Sequence, residues 1–313
     1  MVRMISSRIA FAIPVFFVMT FLTFFLASLI PGNVALVLLG QSATAESVQQ
    51  LTQELGLDKP ILVQYLDWIG RALQGDLGTS IYSGEDVGRI VGMRFWPTLS
   101  IAGLATIASA IVGIALGLYA AIRRGVLSRM LDTLGMLGIA LPGFWIALLL
   151  IVVFSGQLGL LPAIGYERPG DDFGGWIEHL ILPVAALSVA GVALIAKQTR
   201  DAFSESLSRD FMRFLQANGV SRASLLYRHG LRHASVPIVA AVAVTFINFF
   251  ASTATIEIVF AIPGLGAQVA TSTTNHDLAV LQGVVLCYTV VTVVTTLIAD
   301  IVYSFLNPKV STR

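Results

Sequence analysis

Six long apolar segments divide this chain, and the polar stretches between them have very unequal lengths. An α-helix rises about 1.5 Å per residue, so roughly 20 apolar residues cross the ~30 Å hydrocarbon core of a bilayer. The six apolar segments lie at about 9–30, 98–121, 133–156, 179–198, 237–260 and 279–305. This pattern predicts an all-α membrane protein with six transmembrane helices.

The polar stretch between spans one and two contains an amphipathic pattern of its own. Ile61, Tyr65, Ile69 and Leu73 recur every four residues and form one apolar face of a helix. We expect this helix to lie along the membrane surface or against the other spans. A helical cap without a ligand role explains the pattern equally well. The chain therefore divides into residues 1–97, a span plus an outer helical insertion, and a core at 98–313.

Composition agrees with a membrane protein. Hydrophobic residues make up 56% of the chain, charged residues make up 12%, and mean hydropathy is +0.84. A soluble domain has about 25% charged residues. The net charge of +1 does not indicate nucleic acid as a partner. Cys287 is the only cysteine, which excludes an internal disulfide and a cysteine cluster for a metal.

The positions of lysine and arginine predict which segments face the cytoplasm, because positive residues tend to stay inside. With the N-terminus inside, the inner segments contain 14 of the 19 lysines and arginines. The outer segments contain the other five, which are Lys59, Arg71, Arg89, Arg94 and Arg168. We therefore expect both termini, and the loop at about 199–236, to be cytoplasmic.

The cytoplasmic loop at about 199–236 contains signals for a corner between two helices. Asn218-Gly219 is typical of a helix end, since glycine adopts the left-handed conformation there without strain. Ser221 can cap a following helix through its hydroxyl oxygen. The sequence predicts a helix, a tight corner and a second, short helix.

The second helix has two different sides. Leu225, Leu226 and Leu231 form an apolar side, while Arg228 and Arg232 are four residues apart on another. A plain solvated loop, with arginines that set topology and meet anionic lipid headgroups, would need no such organisation. A short amphipathic helix is better suited to dock in a groove of another protein.

The loop carries partial patterns of two other functions, zinc proteolysis and DNA binding. His229 and His233 have the spacing of a zinc protease helix, but Gly230 occupies the position of the catalytic glutamate. A helix-turn-helix binds DNA by placing a helix in the major groove, and a segment tethered to membrane spans at both ends is badly placed to do so. Neither function fits the loop.

Glu257 is the one ionisable residue deep within a predicted span. A charge at the centre of a bilayer costs about 2.5–3.5 kcal/mol on insertion scales, so this side chain should face the interior of the bundle. It either contacts the transported solute or gates its path, or it makes a structural hydrogen bond between helices.

Other mechanisms of transport and catalysis have little support in the sequence. An ion-coupled secondary transporter would show inverted repeats and several buried ionisable residues. An intramembrane hydrolase would need serine and histidine, or paired aspartates, inside spans. A P-loop needs Gly-Lys followed by Ser or Thr, whereas Lys59, Lys197 and Lys309 follow Asp, Ala and Pro. We expect no ATP site in this chain.

The loop also matches a longer signature, which reads D-Y-x-R-T-A-R-A-K-G-L-S followed by R-H-A-L-R-N-A and a proline. The matching residues are Asp210-Phe211, Arg213, Ala217, Gly219-Val220-Ser221, Arg228-His229-Gly230-Leu231-Arg232-His233-Ala234 and Pro237. Leu215, Asn218 and His233 depart from the signature. Further stretches along the chain match the same group of proteins as this signature. In chain order they are Pro31-Gly32, ELGLDKPILVQYLDWI, GDLGTS, PTLS, LGLLPAIG, IEIVFAIPGLG and DIVYSFLNPKV.

On these residues the chain resembles the membrane subunits of ATP-binding-cassette importers, in particular the dipeptide, oligopeptide and nickel permease family, of the first-permease type. The resemblance covers nearly the whole chain. It implies a type I importer permease fold with a periplasmic helical insertion between spans one and two. The solute, whether dipeptide, oligopeptide, nickel complex, glutathione or opine, stays open.

The resemblance also implies partners and a role for the loop. The partners are a second homologous permease in a heterodimer, two ATPase subunits, a periplasmic or lipid-anchored binding protein, and the lipid of a bacterial inner membrane. It implies no catalytic residue, metal or cofactor in this chain, with ATP and Mg²⁺ held by the ATPase subunits. The implied ATPase-coupling residues are Asp210, Arg213, Ala217, Gly219, Ser221, Leu225, Arg228, His229, Leu231, Arg232 and Pro237.

Overall fold

A computed structural model describes residues 2–29, 34–123, 135, 138 and 141–306. These ranges leave out Pro31-Gly32, Lys309 and most of the first part of the third span. They also leave out Arg124, Arg129 and Arg313, which belong to the 14 inner lysines and arginines counted above. Within the described residues the chain is helical, and its one β-bridge joins Thr79 and Asp86.

Eleven α-helices follow one another in the described residues. They are α1 (Val2–Ser28), α2 (Val34–Leu39), α3 (Ala45–Glu54), α4 (Ile61–Ala72), α5 (Val87–Ile122), α6 (Gly143–Leu150), α7 (Phe173–Ser208), α8 (Asp210–Ala217), α9 (Leu231–Val259), α10 (Leu265–Thr274) and α11 (Leu278–Leu306). A 3₁₀ turn follows α2, and π-helical turns follow α6 and precede α9.

Among the residues that the structure describes, four helical runs are long and apolar enough to cross a membrane. They are Val87–Ile122, Phe173–Ser208, Ser224–Val259 and Leu278–Leu306. The first and third predicted spans correspond to shorter apolar helices, Ala12–Leu26 and Gly143–Gln157. Apolar side chains point outward along several of these helices, as expected where lipid is the solvent; Ile111, Leu148 and Ile298 are examples.

The chain forms two compact units. The first unit contains Met1–Ile5, Leu99–Ile262 and Val294–Arg313, and the second contains Ser6–Thr98 and Pro263–Val293. The second unit also takes in residues 263–293, which are distant in sequence.

Close contacts between helices hold the first unit together. A Cβ atom on Gly117 of α5 would lie 2.5 Å from the carbonyl oxygen of Ala196 in α7, and one on Gly191 would lie 2.5 Å from the ring of Phe249 in α9. Glycine is therefore needed at both positions because helices α5, α7 and α9 approach so closely.

The second unit contains the amphipathic helix that the sequence predicts, as α4. Its buried side consists of Tyr65, Trp68 and Ile69, which form a cluster with Phe24 of α1. The Tyr65 hydroxyl lies 2.9 Å from the Thr20 hydroxyl, so a buried hydrogen bond also joins α4 to α1. Of the two placements expected for this helix, packing against a span is the one observed.

Candidate functional site

The corner at Gly219 has the geometry that the sequence predicts. Gly219 has a φ of +80°, and the backbone N–H of Val220 donates to the carbonyl oxygen of Leu215 over 3.2 Å, which closes the end of α8. A Cβ atom on Gly219 would meet nothing within 4 Å. The backbone conformation, and not lack of space, therefore favours glycine here.

Ser221 caps the helical segment that follows, as expected. Its hydroxyl oxygen accepts a hydrogen bond from the backbone N–H of Ser224 over 3.4 Å. However, the second helix is not short. A π-helical turn at Ser224–Gly230 continues directly into α9, so Ser224–Val259 is one helical run with Pro237 inside it. A proline removes only one backbone donor, and neighbouring groups can compensate for it in a membrane helix.

The apolar side of this run faces the chain itself. Leu225 is buried, and Leu226 and Leu231 pack against a cluster that includes Phe203 and Ala234. The sequence identified the apolar side correctly as a packing surface, but most of that surface is occupied within the first unit. A docking partner has to contact a different face.

Gly230 connects the π-helical turn to α7, a contact that the sequence did not indicate. Its carbonyl oxygen accepts a buried hydrogen bond from the Ser206 hydroxyl over 3.1 Å. A Cβ atom at Gly230 would lie 3.0 Å from the ring of Phe203 and 3.2 Å from the carbonyl oxygen of Leu225. The absence of a side chain at Gly230 permits this close packing.

The sequence also did not indicate two aromatic side chains that are exposed within residues 209–236. Phe214 is 69% exposed on α8, and Tyr227 is 67% exposed on the π-helical turn. An aromatic residue within a polar segment was the available signal, but sequence alone does not say which side of the helix it occupies. Large exposed aromatic side chains are typical anchors of protein interfaces.

Most of the predicted coupling residues are exposed as well. Arg213 forms only a long, exposed ion pair with Asp210, at 3.9 Å, while Arg228 and Arg232 form no ion pair within the described part of the chain. The remaining exposed members are Ala217, Gly219, Ser221 and Pro237; His229 and Leu231 are partly buried. We call the exposed members of this set, with Phe214 and Tyr227, the docking surface.

The ring of His233 contacts the ring of Phe211, with 4.7 Å between ring centroids. This contact fixes α8 against α9 on either side of the corner. His233 departs from the family signature, and its contact with Phe211 gives that departure a structural role. No group of three potential metal-ligating side chains was found among the residues that the structure describes.

Glu257 is completely buried in α9 and has an interaction partner. A separate cavity of about 470 Å³ lies in the first unit, between α6, α7 and α9, and Glu257 does not line it. The polar residues on its wall are Thr245, Asn248, Ser252 and Thr255, which recur along one side of α9. The cavity, more than Glu257, offers surface to a small solute.

Comparisons with known proteins agree with this arrangement. A family model described as "Binding-protein-dependent transport system inner membrane component" matches residues 113–312, and the model of the corresponding N-terminal region matches residues 1–102. A chain of the MetNI methionine ABC transporter has the same fold, with a TM-score of 0.57 and 17% identity over 70% of this chain and 96% of that one.

Full-length relatives are more similar in sequence. A protein of Sinorhizobium fredii named "probable peptide ABC transporter permease protein" is 34% identical over 98% of both chains. The glutathione transport system permease protein of an Escherichia coli strain is 34% identical over 99% of both chains. The comparisons do not favour an ion-coupled transporter. This chain belongs to the binding-protein-dependent transport system inner membrane component family, as a multi-pass permease subunit of an ABC importer that works with ATPase and substrate-binding partners.

Proposed function

We propose that this chain is one of two homologous membrane subunits of an importer that carries peptides, or chemically related small solutes, into the cytoplasm. The named substrates of its relatives, peptides and glutathione, support this solute class. The observation that carries the proposal is the docking surface, where two exposed aromatic side chains flank a corner fixed by Gly219. Two ATPase subunits and a binding protein complete the assembly.

The proposed topology has six spans, with both termini and residues 209–236 in the cytoplasm. Four long apolar helices and two shorter ones support the number of spans. The excess of lysine and arginine in alternate segments supports the orientation. In this topology residues 31–97 form an outer insertion on the periplasmic side.

The docking surface suits a groove in an ATPase subunit. Phe214 and Tyr227 provide large apolar contacts at little cost in side-chain entropy, since each has two rotatable side-chain bonds. Arg213, Arg228 and Arg232 add positive charge around them. Such a surface binds through its aromatic anchors and obtains orientation from the charges.

Contacts behind the docking surface would transmit movement of the ATPase to the membrane helices. Ser206 bonds α7 to the π-helical turn. Leu226 and Leu231 pack against the cluster that includes Phe203 of α7 and Ala234 of α9. The segment is thus attached to two long helices and moves with them as a body. Closure of the ATPase subunits can then shift the helices between two arrangements.

The cavity between α6, α7 and α9 is the proposed path element in this subunit. Its wall is mainly apolar, with hydroxyl and amide groups along α9, so it can accept a solute without binding it tightly. Glu257 has a structural or gating role in this proposal, because its side chain is fully buried and already has a partner.

The chemistry of ATP hydrolysis belongs to the partner subunits. ATP and Mg²⁺ bind there, and this chain contributes positioning and movement instead of reacting groups. The groups that it offers to the ATPase in this proposal are those of the docking surface.

Transport by the reconstituted importer tests the proposal. The solute is first identified by mass spectrometry of the ligand that co-purifies with the binding protein. We expect uptake of that solute into liposomes to require ATP together with the binding protein. Uptake that proceeds without ATP and follows a proton or sodium gradient would contradict the proposal and support an ion-coupled transporter.

A further inference from the structure

Helix α4 has three different sides, and two of them have partners within the chain. One is the buried side, which packs on Phe24 of α1. The second is polar: the Gln64 amide donates to the carbonyl oxygen of Lys59 over 2.8 Å, and Asp67 forms an ion pair with Lys59 at 3.4 Å. The residues just before α4 therefore cover part of its polar side.

The third side of α4 is apolar and exposed. Leu62, Leu66 and Leu73 are each more than half exposed. Leu73 directly follows α4 and keeps a helical backbone, so these three residues, spaced four and seven apart, lie along one side of the helix. We call them the leucine stripe. A row of exposed leucines marks a surface that contacts another molecule or a membrane.

The contacts of α4 with α1 indicate how deep the helix lies. The Tyr65 hydroxyl donates to the carbonyl oxygen of Phe17 over 3.2 Å and lies 2.9 Å from the Thr20 hydroxyl. Helix α1 continues from Thr20 to Ser28, which is about 12 Å along a helix axis. Half of the hydrocarbon core is about 15 Å thick. The Tyr65 side chain therefore reaches well into the depth that α1 crosses.

A second span gives the same depth. Leu286 of α11 packs against the same cluster as Phe24 and Tyr65. Helix α11 begins at Leu278, so Leu286 is also about 12 Å from the end of its helix. In the proposed topology α1 ends and α11 begins at the outer face of the membrane. Two separate contacts thus place the buried side of α4 within the outer half of the bilayer.

The part of α1 that borders α4 has the surface that lipid covers. The ring of Phe21 packs edge-on against Tyr65, with 5.2 Å between centroids, and is still partly exposed. Phe17 and Phe25, one helical turn away on either side, are exposed too. An exposed apolar surface of a membrane span therefore adjoins α4. The leucine stripe adds to an apolar surface that is already present at this depth.

We propose that α4 is an interfacial membrane helix, with its leucine stripe in contact with the acyl chains of the outer lipid layer. The polar side, with Asp67 and Arg71, then faces away from the acyl chains, as in other helices at a membrane boundary. A protein in the aqueous phase cannot reach side chains at this depth. The proposal rests on the proposed topology, in which α1 and α11 cross the membrane, and not on the solute or on ATP.

Spin labels on the leucine stripe test this proposal in the assembled importer in lipid bilayers. A nitroxide is attached to Leu66→Cys in a chain that also carries Cys287→Ala. Its collisions with oxygen, which concentrates among acyl chains, are compared with its collisions with a neutral nickel complex, which stays in water. We expect the ratio of oxygen to nickel collisions to be several-fold higher at Leu66→Cys than at Gln74→Cys. Gln74 is the matched control, because it is exposed and directly follows the stripe.

The two reagents also distinguish the other possible surroundings of the stripe. Nickel collisions as frequent at Leu66→Cys as at Gln74→Cys would overturn the proposal, because the stripe would then face water. Rare collisions with both reagents would overturn it as well, since another subunit would then cover the stripe. Leu62→Cys repeats the measurement at a second position, and an unchanged melting temperature verifies that each variant folds. ATP-dependent uptake is assayed separately, so failure of the lipid contact and failure of the transport proposal are distinguishable.

Discussion

The Ser206 hydroxyl donates a hydrogen bond to the carbonyl oxygen of Gly230 over 3.1 Å, and both residues are buried. The bond joins the last turns of α7 to the π-helical turn that begins the next helical run. It lies directly behind the docking surface. Movement of the docking surface and movement of α7 are therefore linked through one polar contact and the packing around it.

Replacement of Ser206 by alanine should weaken this link. The Gly230 carbonyl would lose its only bond to α7 and keep its place in the continuous helical run, so we expect a loss of about 0.5–1.5 kcal/mol in stability. Uptake of solute per ATP hydrolysed should fall as well. The control is Ser208→Ala, because the Ser208 hydroxyl is exposed and bonds only to Glu205 in its own helix. Equal losses of coupling in the two variants would contradict the role given to Ser206.

Addition of a methyl group at Gly230 should disturb the same contact from the other side. The new Cβ would lie 3.0 Å from the Phe203 ring, and overpacking of this kind costs about 1–3 kcal/mol. We expect a lower melting temperature for Gly230→Ala. Combination with Phe203→Leu should restore part of the loss, since the shorter side chain makes room. No loss in the single variant would show that the helices separate easily at this point.

Replacement of Gly219 by valine should strain the corner. A φ of +80° is unfavourable for a residue with a Cβ, by about 1–2 kcal/mol, and more so for a β-branched one. We expect weaker association with the ATPase subunit, measured by co-purification, and reduced uptake. Gly219→Asn is the control, because asparagine tolerates this conformation better than valine. Normal ATP-driven uptake by Gly219→Val would refute the role of the corner.

Substitution of Glu257 separates its two possible roles. Glu257→Gln keeps the shape and most hydrogen-bonding capacity, so a structural role predicts near-normal stability and uptake. Glu257→Leu keeps the volume but removes the interaction that this buried side chain makes, which should cost about 1–3 kcal/mol if the interaction is structural. Unfolding temperature and uptake are measured for both. A change of solute preference in Glu257→Gln, at unchanged stability, would instead indicate contact with the solute.

Local features of this fold could be predicted from sequence because a few neighbouring residues determine them. The helix end at Gly219 and the cap at Ser221 depend on backbone preferences within four residues. The apolar stripe of α4 follows from its periodicity. The helix end and the cap are present where the sequence placed them, and so are Tyr65 and Ile69 on the buried side of α4; Leu73 is instead 69% exposed after the end of α4, and Trp68 takes part in the buried side.

Features that depend on contacts between distant residues could not be predicted. Ser206 and Gly230 are 24 residues apart in sequence, and their hydrogen bond exists only because two helices pack together. The inward direction of Leu225 and the outward direction of Tyr227 likewise depend on where α7 lies. The amide of Gln282 is buried and has no hydrogen-bond partner among the described residues, which becomes visible only when its surroundings are known.

Photo-cross-linking from the docking surface tests the central claim most directly. A benzophenone maleimide is attached to Tyr227→Cys in a chain that also carries Cys287→Ala, and the assembled importer is irradiated in membranes. The account predicts a covalent product with the ATPase subunit, identified by mass spectrometry, and no such product from Gln50→Cys in α3. A chain that cross-links to the ATPase from Gln50→Cys but not from Tyr227→Cys would contradict it.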